Sequence, residues 1–200
     1  MKLSFTFFLI WASFFVHAQN EIAFKNHVSV QAGRTSLGTG DLPAFNFEMS
    51  YHYQFTSLLF ATARSGVAFH SGEPRFAPAV FPEHAFYTYG DLGLGLSLHK
   101  EKAWLRPFIS AAFSTAYIED VQVMGFHPLE SGGVPPDTPN TSPSGVVQYH
   151  RTEEVVLGYA VHVGTNLKLS KAAFATGNLH FRNVGGHTMT GFGVGLGMRF

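Results

Sequence analysis

The stretch 180–183, HFRN, holds the residue types that come nearest to a catalytic set in this chain. A histidine such as His180 can take the proton of a neighbouring serine, and the chemistry would be acyl transfer. The set lacks its nucleophile. Arg182 stands between His180 and Asn183, and no Asp or Glu follows before Phe200 to serve as a third member. Without a hydroxyl to attack, no acyl-enzyme can form. The rest of the chain carries no Gly-x-Ser-x-Gly elbow, no His-Glu-x-x-His and no phosphate loop. There are 11 histidines and no cysteine. His70, His84, His127, His150 and His187 fall near connections, but no pair has ligand spacing, and zinc needs three or four converging ligands. The expectation is therefore no metal and no cofactor.

The polar residues make more sense once the elements that carry them are laid out. Apolar and small or polar residues alternate with a period of two over Asn26–Arg34, Ala44–Gln54, Leu58–Phe69, Phe86–His99, Trp104–Ile118, Glu154–Lys168, Ala172–Arg182 and Gly191–Phe200. That period is the mark of strands with two unlike faces. The closing stretch GFGVGLGMRF is the clearest case: Phe192, Val194, Leu196 and Met198 on one side, and a bare row of Gly191, Gly193, Gly195 and Gly197 ending in Arg199 on the other. Connections alternate in length. They are short at Thr56-Ser57, 100–102 and Ser170-Lys171, long at Thr35–Pro43, His70–Ala85 and Glu119–Thr152, and intermediate at Val184–Thr188. An even number of antiparallel strands, with short turns at one end and long loops at the other, is the layout of an outer-membrane barrel. The expected fold is thus all-β, an eight-stranded antiparallel up-and-down transmembrane β-barrel.

Alternation alone would also suit a soluble secreted barrel. The polar face decides. A solvated surface carries roughly 25–35 % charged residues, whereas this face is mostly Gly, Ala, Ser, Thr and Asn, and the chain as a whole is 13 % charged. Small residues suit a crowded interior, and eight strands leave a lumen just wide enough for side chains. On the lumen-facing parity lie Glu48, Arg64, Arg106, Phe108, His162, His180, Arg182 and Arg199. Glu48 and Arg64 sit on strands joined by a short turn and can pair. The set is more basic than acidic, which calls for water or loop carboxylates as further partners.

Residues 1–18 read as a signal peptide: Lys2, an apolar run from Leu3 to Val16, and a small-residue cleavage site ending at Ala18. The run is short for a spanning helix. Residues 19–200 form the barrel domain. Formal charge is zero, so nucleic acid is not an expected partner. The segment from His127 to His150 is rich in Pro, Gly, Ser and Thr and reads as a mobile, exposed loop, either a binding surface or plain solvated chain.

With its terminal alternating strand ending in Phe200, and with RPFISAAFS at 106–114, the chain resembles the small eight-stranded outer-membrane barrels, the OmpA/OmpX-like group. The resemblance covers the whole of 19–200. It implies the bacterial outer membrane as location and its lipid as surroundings. It also implies that Phe200 is the signal read by the barrel-assembly machinery. It implies no activity, because one fold hosts many functions. Lipid A deacylases are also eight-stranded barrels and carry His-x-Ser-Asn on a late strand; 180–183 is similar, with Arg182 in place of the serine. The expected role is structural or surface interaction through extracellular loops, to an unidentified ligand, and not enzymatic. A lipid-modifying enzyme and a narrow channel or ligand-binding barrel are the alternatives.

Overall fold

A computed structural model of the protein describes residues 25–38, 42–72, 83–97, 103–128 and 145–200. The segment 1–18 read as a signal peptide and residues 129–144 of the longest connection lie outside the described residues. Eight strands follow in order: β1 (Asn26–Leu37), β2 (Leu42–Gln54), β3 (Leu59–Gly72), β4 (Glu83–Ser97), β5 (Leu105–Pro128), β6 (Gly145–Lys168), β7 (Ala173–Val184) and β8 (His187–Arg199). Each pairs antiparallel with the next, and β8 returns to β1 to close the barrel. The seam runs from His27 opposite Arg199 to Ser36 opposite Thr190. At its end Asn26 and Phe200 exchange backbone hydrogen bonds, each 3.0 Å. Closure leaves no unpaired edge in the spanning part, which is what a hydrocarbon surround demands of a sheet.

The two faces follow the period of two. Outward rows are apolar and exposed: Phe47 and Met49 on β2, Leu92 and Leu94 on β4, Val194 and Leu196 on β8. Aromatic rings gather at both rims, as in membrane barrels. Phe45, Phe69 and Phe86 share a register row toward the long loops. Tyr53, Phe55, Trp104 and Phe200 lie toward the short turns. The inward rows are small or polar and buried, including Ser29, Ser50, Thr62, Ser110 and Ser114.

The glycine row of β8 lets neighbours close in. A Cβ on Gly195 would overlap the Val30 carbonyl oxygen of β1, and one on Gly197 would overlap the Phe174 ring. The same exchange of a ring for a missing side chain recurs where Phe60 covers Gly95 and Phe108 covers Gly164.

Several connections are shorter than their sequence suggests. The loop expected over Thr35–Pro43 shrinks because β1 runs to Leu37 and β2 starts at Leu42. The link Val184–Thr188 is a two-residue hairpin through Gly185 and Gly186, with φ of 58° and 90°. Two successive positive φ values suit the strand twist and favour glycine. The largest correction concerns Glu119–Thr152, read as a mobile loop. Its flanks are strand: β5 continues to Pro128 and β6 begins at Gly145, paired throughout apart from a bulge between Val123 and Gly125. Proline and glycine are concentrated in 129–144, between the strands, so their composition says little about the arms. The arms themselves are rich in strand-favouring residues, Val121 and Val123 on one side and Val146, Val147, Tyr149, Thr152, Val155 and Val156 on the other.

Candidate functional site: a filled lumen

Four strands aim their inward residues at one point in the middle of the barrel. Asp91 on β4 is its hub. It accepts hydrogen bonds from Arg182 Nε at 3.1 Å and Nη2 at 2.5 Å, from Ser114 Oγ at 2.6 Å and from His162 Nε2 at 3.2 Å. Arg182 and His162 are wholly buried. The second carboxylate, Glu48, accepts from Arg64 Nη1 at 2.7 Å and lies 3.8 Å from Arg182 Nη2. Tyr89 joins the halves: its hydroxyl donates to Asn46 at 2.5 Å, and the Arg182 guanidinium lies 3.6 Å from its ring centre. Arg64 Nη2 also donates to His52 Nε2 at 3.4 Å. Two carboxylates thus face two guanidinium groups in one connected network. Buried charge is tolerated under that condition.

Asp91, its partner Ser114, and the Tyr89–Asn46 pair were not among the sequence candidates. The signal was present: Asp91 alternates with Gly93, Gly95 and Ser97 on the lumen side of β4. Among the described residues, this strand carboxylate is what meets Arg182 and His162 in the centre.

Ser114, His162 and Asp91 are the residue types of a hydrolase triad, wired differently. The serine proton goes to Asp91, and His162 Nε2 also points at Asp91. A carboxylate only accepts, so His162 carries its proton on Nε2 and takes none from Ser114. His180 is held likewise. Thr35 Oγ1 donates to the Thr190 carbonyl at 3.0 Å, so it accepts from His180 Nε2 at 3.3 Å. His180 therefore faces the lumen, away from lipid, with its Nε2 already a donor.

Below the network, toward the short turns, Phe60, Phe108 and Phe174 are buried, and His52 stacks on Phe60 with ring centres 4.9 Å apart. This aromatic layer separates the centre from Arg106 and Arg199 at the short-turn mouth. Arg199 lies over the Phe174 ring at 4.9 Å. Phe108, Arg106 and Arg199 therefore share the lumen with Glu48, Arg64, His162, His180 and Arg182, but the two arginines stand apart from the ionic centre. Phe200 is outward and exposed at the seam. Among the described residues no group of three His, Cys, Asp or Glu could hold a metal ion. His187 instead pairs with Glu154 at 2.8 Å, and His70 Nδ1 meets the Pro43 carbonyl at 2.7 Å.

No protein-family model matches the chain, and no curated protein matches it in sequence. Solved structures do match its fold. Neisserial surface protein A superposes with a TM-score of 0.61 at 10% identity, over 88% of this chain and 97% of that one. The outer membrane protein OprG from Pseudomonas aeruginosa gives 0.55 at 8%, over 88% and 96%. The attachment invasion locus protein of Yersinia pestis, Ail, gives 0.52 at 11%, over 88% and 99%. The closed antiparallel sheet, its lipid-type outer face and these superpositions agree: the chain has the fold of the small eight-stranded outer-membrane β-barrels.

Proposed function

We propose that this is an integral outer-membrane protein that presents a rigid β-ribbon outside the cell, and that its role is surface interaction and not catalysis or transport. One observation carries the reading. β5 and β6 have 24 residues each, while the other strands have 12 to 15. About ten extra residues at roughly 3.3 Å each add roughly 30 Å of ribbon. A spanning strand needs only about 9–11 residues, so this length serves no purpose in the bilayer.

The ribbon leaves the barrel on the side of the long connections, which is outside in barrels of this layout. Among the described residues, β4 accompanies β5 only as far as Val121, and β7 accompanies β6 only from Gly158. Among the described residues, the arms beyond pair only with each other. Such edges offer unused backbone donors and acceptors, the groups by which an added strand is recognised. Arg151 ties the arms together, 2.9 Å from Glu119 and 2.6 Å from Glu153.

The buried ionic centre and the aromatic layer favour a plugged lumen over a channel. Arg182, engaged with Asp91, and His180, turned from lipid, weigh against a deacylase. Absence of cysteine makes the topology simple to test. His150→Cys on the ribbon is expected to react with an impermeant maleimide on intact cells, and Lys171→Cys at a short turn only after permeabilisation. The reverse pattern would invert the topology, and recovery in a soluble fraction would end the membrane reading. Replacing 122–149 by Asn-Gly is expected to leave a barrel that still shifts on unheated gels. Loss of assembly would make the ribbon part of the scaffold. Steady conductance in planar bilayers would move the function to the lumen.

A further inference from the structure

The two edges of the ribbon are unlike. The β5 arm is interrupted by the bulge between Val123 and Gly125 and ends at Pro128. Bulges and prolines discourage further pairing along an edge. The β6 arm has neither from Gly145 to Leu157. The direction of its backbone groups follows from two hydrogen bonds. The Leu157 carbonyl accepts from Gly185 N–H, just past β7, at 3.1 Å, and Lys168 N–H donates to the Trp104 carbonyl, just before β5, at 2.8 Å. Residues of an antiparallel strand alternate in the side to which their N–H and C=O point. Odd-numbered residues of β6 therefore point away from β5. Among the described residues, Tyr149, Arg151, Glu153 and Val155 turn these groups to an edge that β7 does not reach.

The side chains on this edge are complementary to themselves. From Thr152, Arg151 and then His150 lie on one side, and Glu153 and then Glu154 on the other. Arg151, Glu153 and His150 are exposed. A second copy laid antiparallel, with Thr152 opposite Thr152, sets Arg151 opposite Glu153 twice and His150 opposite Glu154 twice. Opposite charges in facing positions favour pairing, and like charges oppose it. Glu154 is already engaged by His187 at 2.8 Å, so the two Arg151–Glu153 pairs carry the recognition. Within one copy Glu119 and Glu153 face each other across β5 and β6 and share the single guanidinium of Arg151. A second copy brings its own Arg151 beside Glu153. Slipping that copy by two residues sets Arg151 opposite Arg151 in one direction and Glu153 opposite Glu153 in the other. Slipping it by one residue misaligns donors and acceptors and reverses the faces. The edge thus specifies one register.

We propose that the β6 edge binds a second copy of this chain, strand to strand and antiparallel, centred on Thr152. The inference rests on the surface role proposed above and names its partner. An edge paired with its own copy forms a two-fold, isologous contact. Because the strands are antiparallel, the two barrels point in opposite directions, as on facing membranes. The contact therefore joins one outer surface to another and not two neighbours in one bilayer.

The test uses the full-length barrel in micelles, with folding checked by the shift on unheated gels. Sedimentation of the wild type is expected to show a concentration-dependent dimer. Thr152→Cys is expected to give a disulfide-linked dimer on mild oxidation, because facing residues of a non-hydrogen-bonded pair have Cα atoms about 4.5 Å apart. Val155→Cys, placed opposite Tyr149, is expected to give none. Arg151→Glu alone or Glu153→Arg alone is expected to weaken dimerisation at least tenfold. An equimolar mixture of these two variants is expected to restore it, since each then meets opposite charges on the other. A monomeric wild type, linkage through Val155→Cys in place of Thr152→Cys, or a mixture no better than either variant alone would overturn the proposal. The wild-type and Thr152→Cys measurements stand even where a charge-reversed variant fails to fold. Micelles carry no sidedness, so a failure here removes the partner and leaves the cysteine labelling, which tests the surface topology, unaffected.

Discussion

Replacing Asp91 by asparagine should destabilise the barrel strongly. Asp91 accepts four hydrogen bonds, two from Arg182 and one each from Ser114 and His162. Asparagine keeps the shape and one acceptor oxygen but loses the charge. Arg182 would be left with Glu48 at 3.8 Å and the Tyr89 ring as its counterparts. Breaking one side of a buried ion pair costs about 3–5 kcal/mol, because the survivor stays buried and uncompensated. The retained acceptor argues for the lower end, about 3 kcal/mol, a large share of a stability of about 5–15 kcal/mol. The assay is urea unfolding in lipid vesicles, with the folded fraction read from unheated gels. Asp91→Leu together with Arg182→Met should recover much of the loss, since a matched apolar pair leaves no orphan charge. The two sites should then couple by about 2 kcal/mol or more in a double-mutant cycle. A loss below about 1 kcal/mol for Asp91→Asn would refute the reasoning, because that is the size of an ordinary hydrogen bond.

Three other outcomes are expected. Gly195→Ala should impair folding by about 1–3 kcal/mol or more, since its Cβ would meet β1 backbone, whereas Gly177→Ala, with no atom nearer than 3.8 Å, should be neutral; equal effects in the same unfolding assay would contradict the packing. Val194→Arg, in the middle of β8 on the exposed face, should cost about 2–4 kcal/mol in vesicles, and tolerance there would mean that the face is not in lipid. Arg182→Ser restores the residue that 180–183 lacks, yet lipid A from cells carrying it should keep its acyl chains by mass spectrometry, because the position faces the lumen.

Strand number, order and facing are legible in the sequence because they rest on a period of two that survives even where strand ends are misjudged. Leu92, Leu94 and Leu96 interleaved with Gly93 and Gly95 state which way β4 faces. Pairing between strands is less legible. Glu48 and Arg64 meet across a short hairpin, a contact that spacing alone suggests. Asp91 and Arg182 meet across the lumen, 91 residues apart, through the shear of the closed sheet, which no local pattern carries. The ribbon was obscured for a different reason. Proline and glycine in 129–144 dominate the composition of the whole segment, while the β-branched and aromatic residues of its arms are a weaker signal. That Arg199 Nε and Nη2 are buried without a hydrogen-bond partner is also invisible locally. It depends on every neighbour at the mouth, and the sequence shows only an arginine ending a glycine row.

Why charge fills this lumen, when apolar side chains would fill it with fewer costs, follows from the inverted surroundings. In water, a strand slipped by one residue puts its apolar face in solvent and is rejected. In lipid, that rejection depends on the other face being polar. If Arg64 and Asp91 were apolar, the inward rows of β3 and β4 would be largely Gly, Ala and aromatic residues, with Thr62 and Ser97 as their remaining small polar groups, and far more acceptable to hydrocarbon. A buried ion pair is weak evidence for stability, but it can select one arrangement. The Asp91→Leu, Arg182→Met barrel is therefore expected to regain stability without regaining fidelity. Refolded into vesicles, it should give a broadened or multiple folded band, and more amide resonances than residues, where the wild type gives one set. A single sharp band and a single set of resonances would show that the glycine rows and girdles suffice to choose the register. The ionic centre would then have to be explained by function and not by folding.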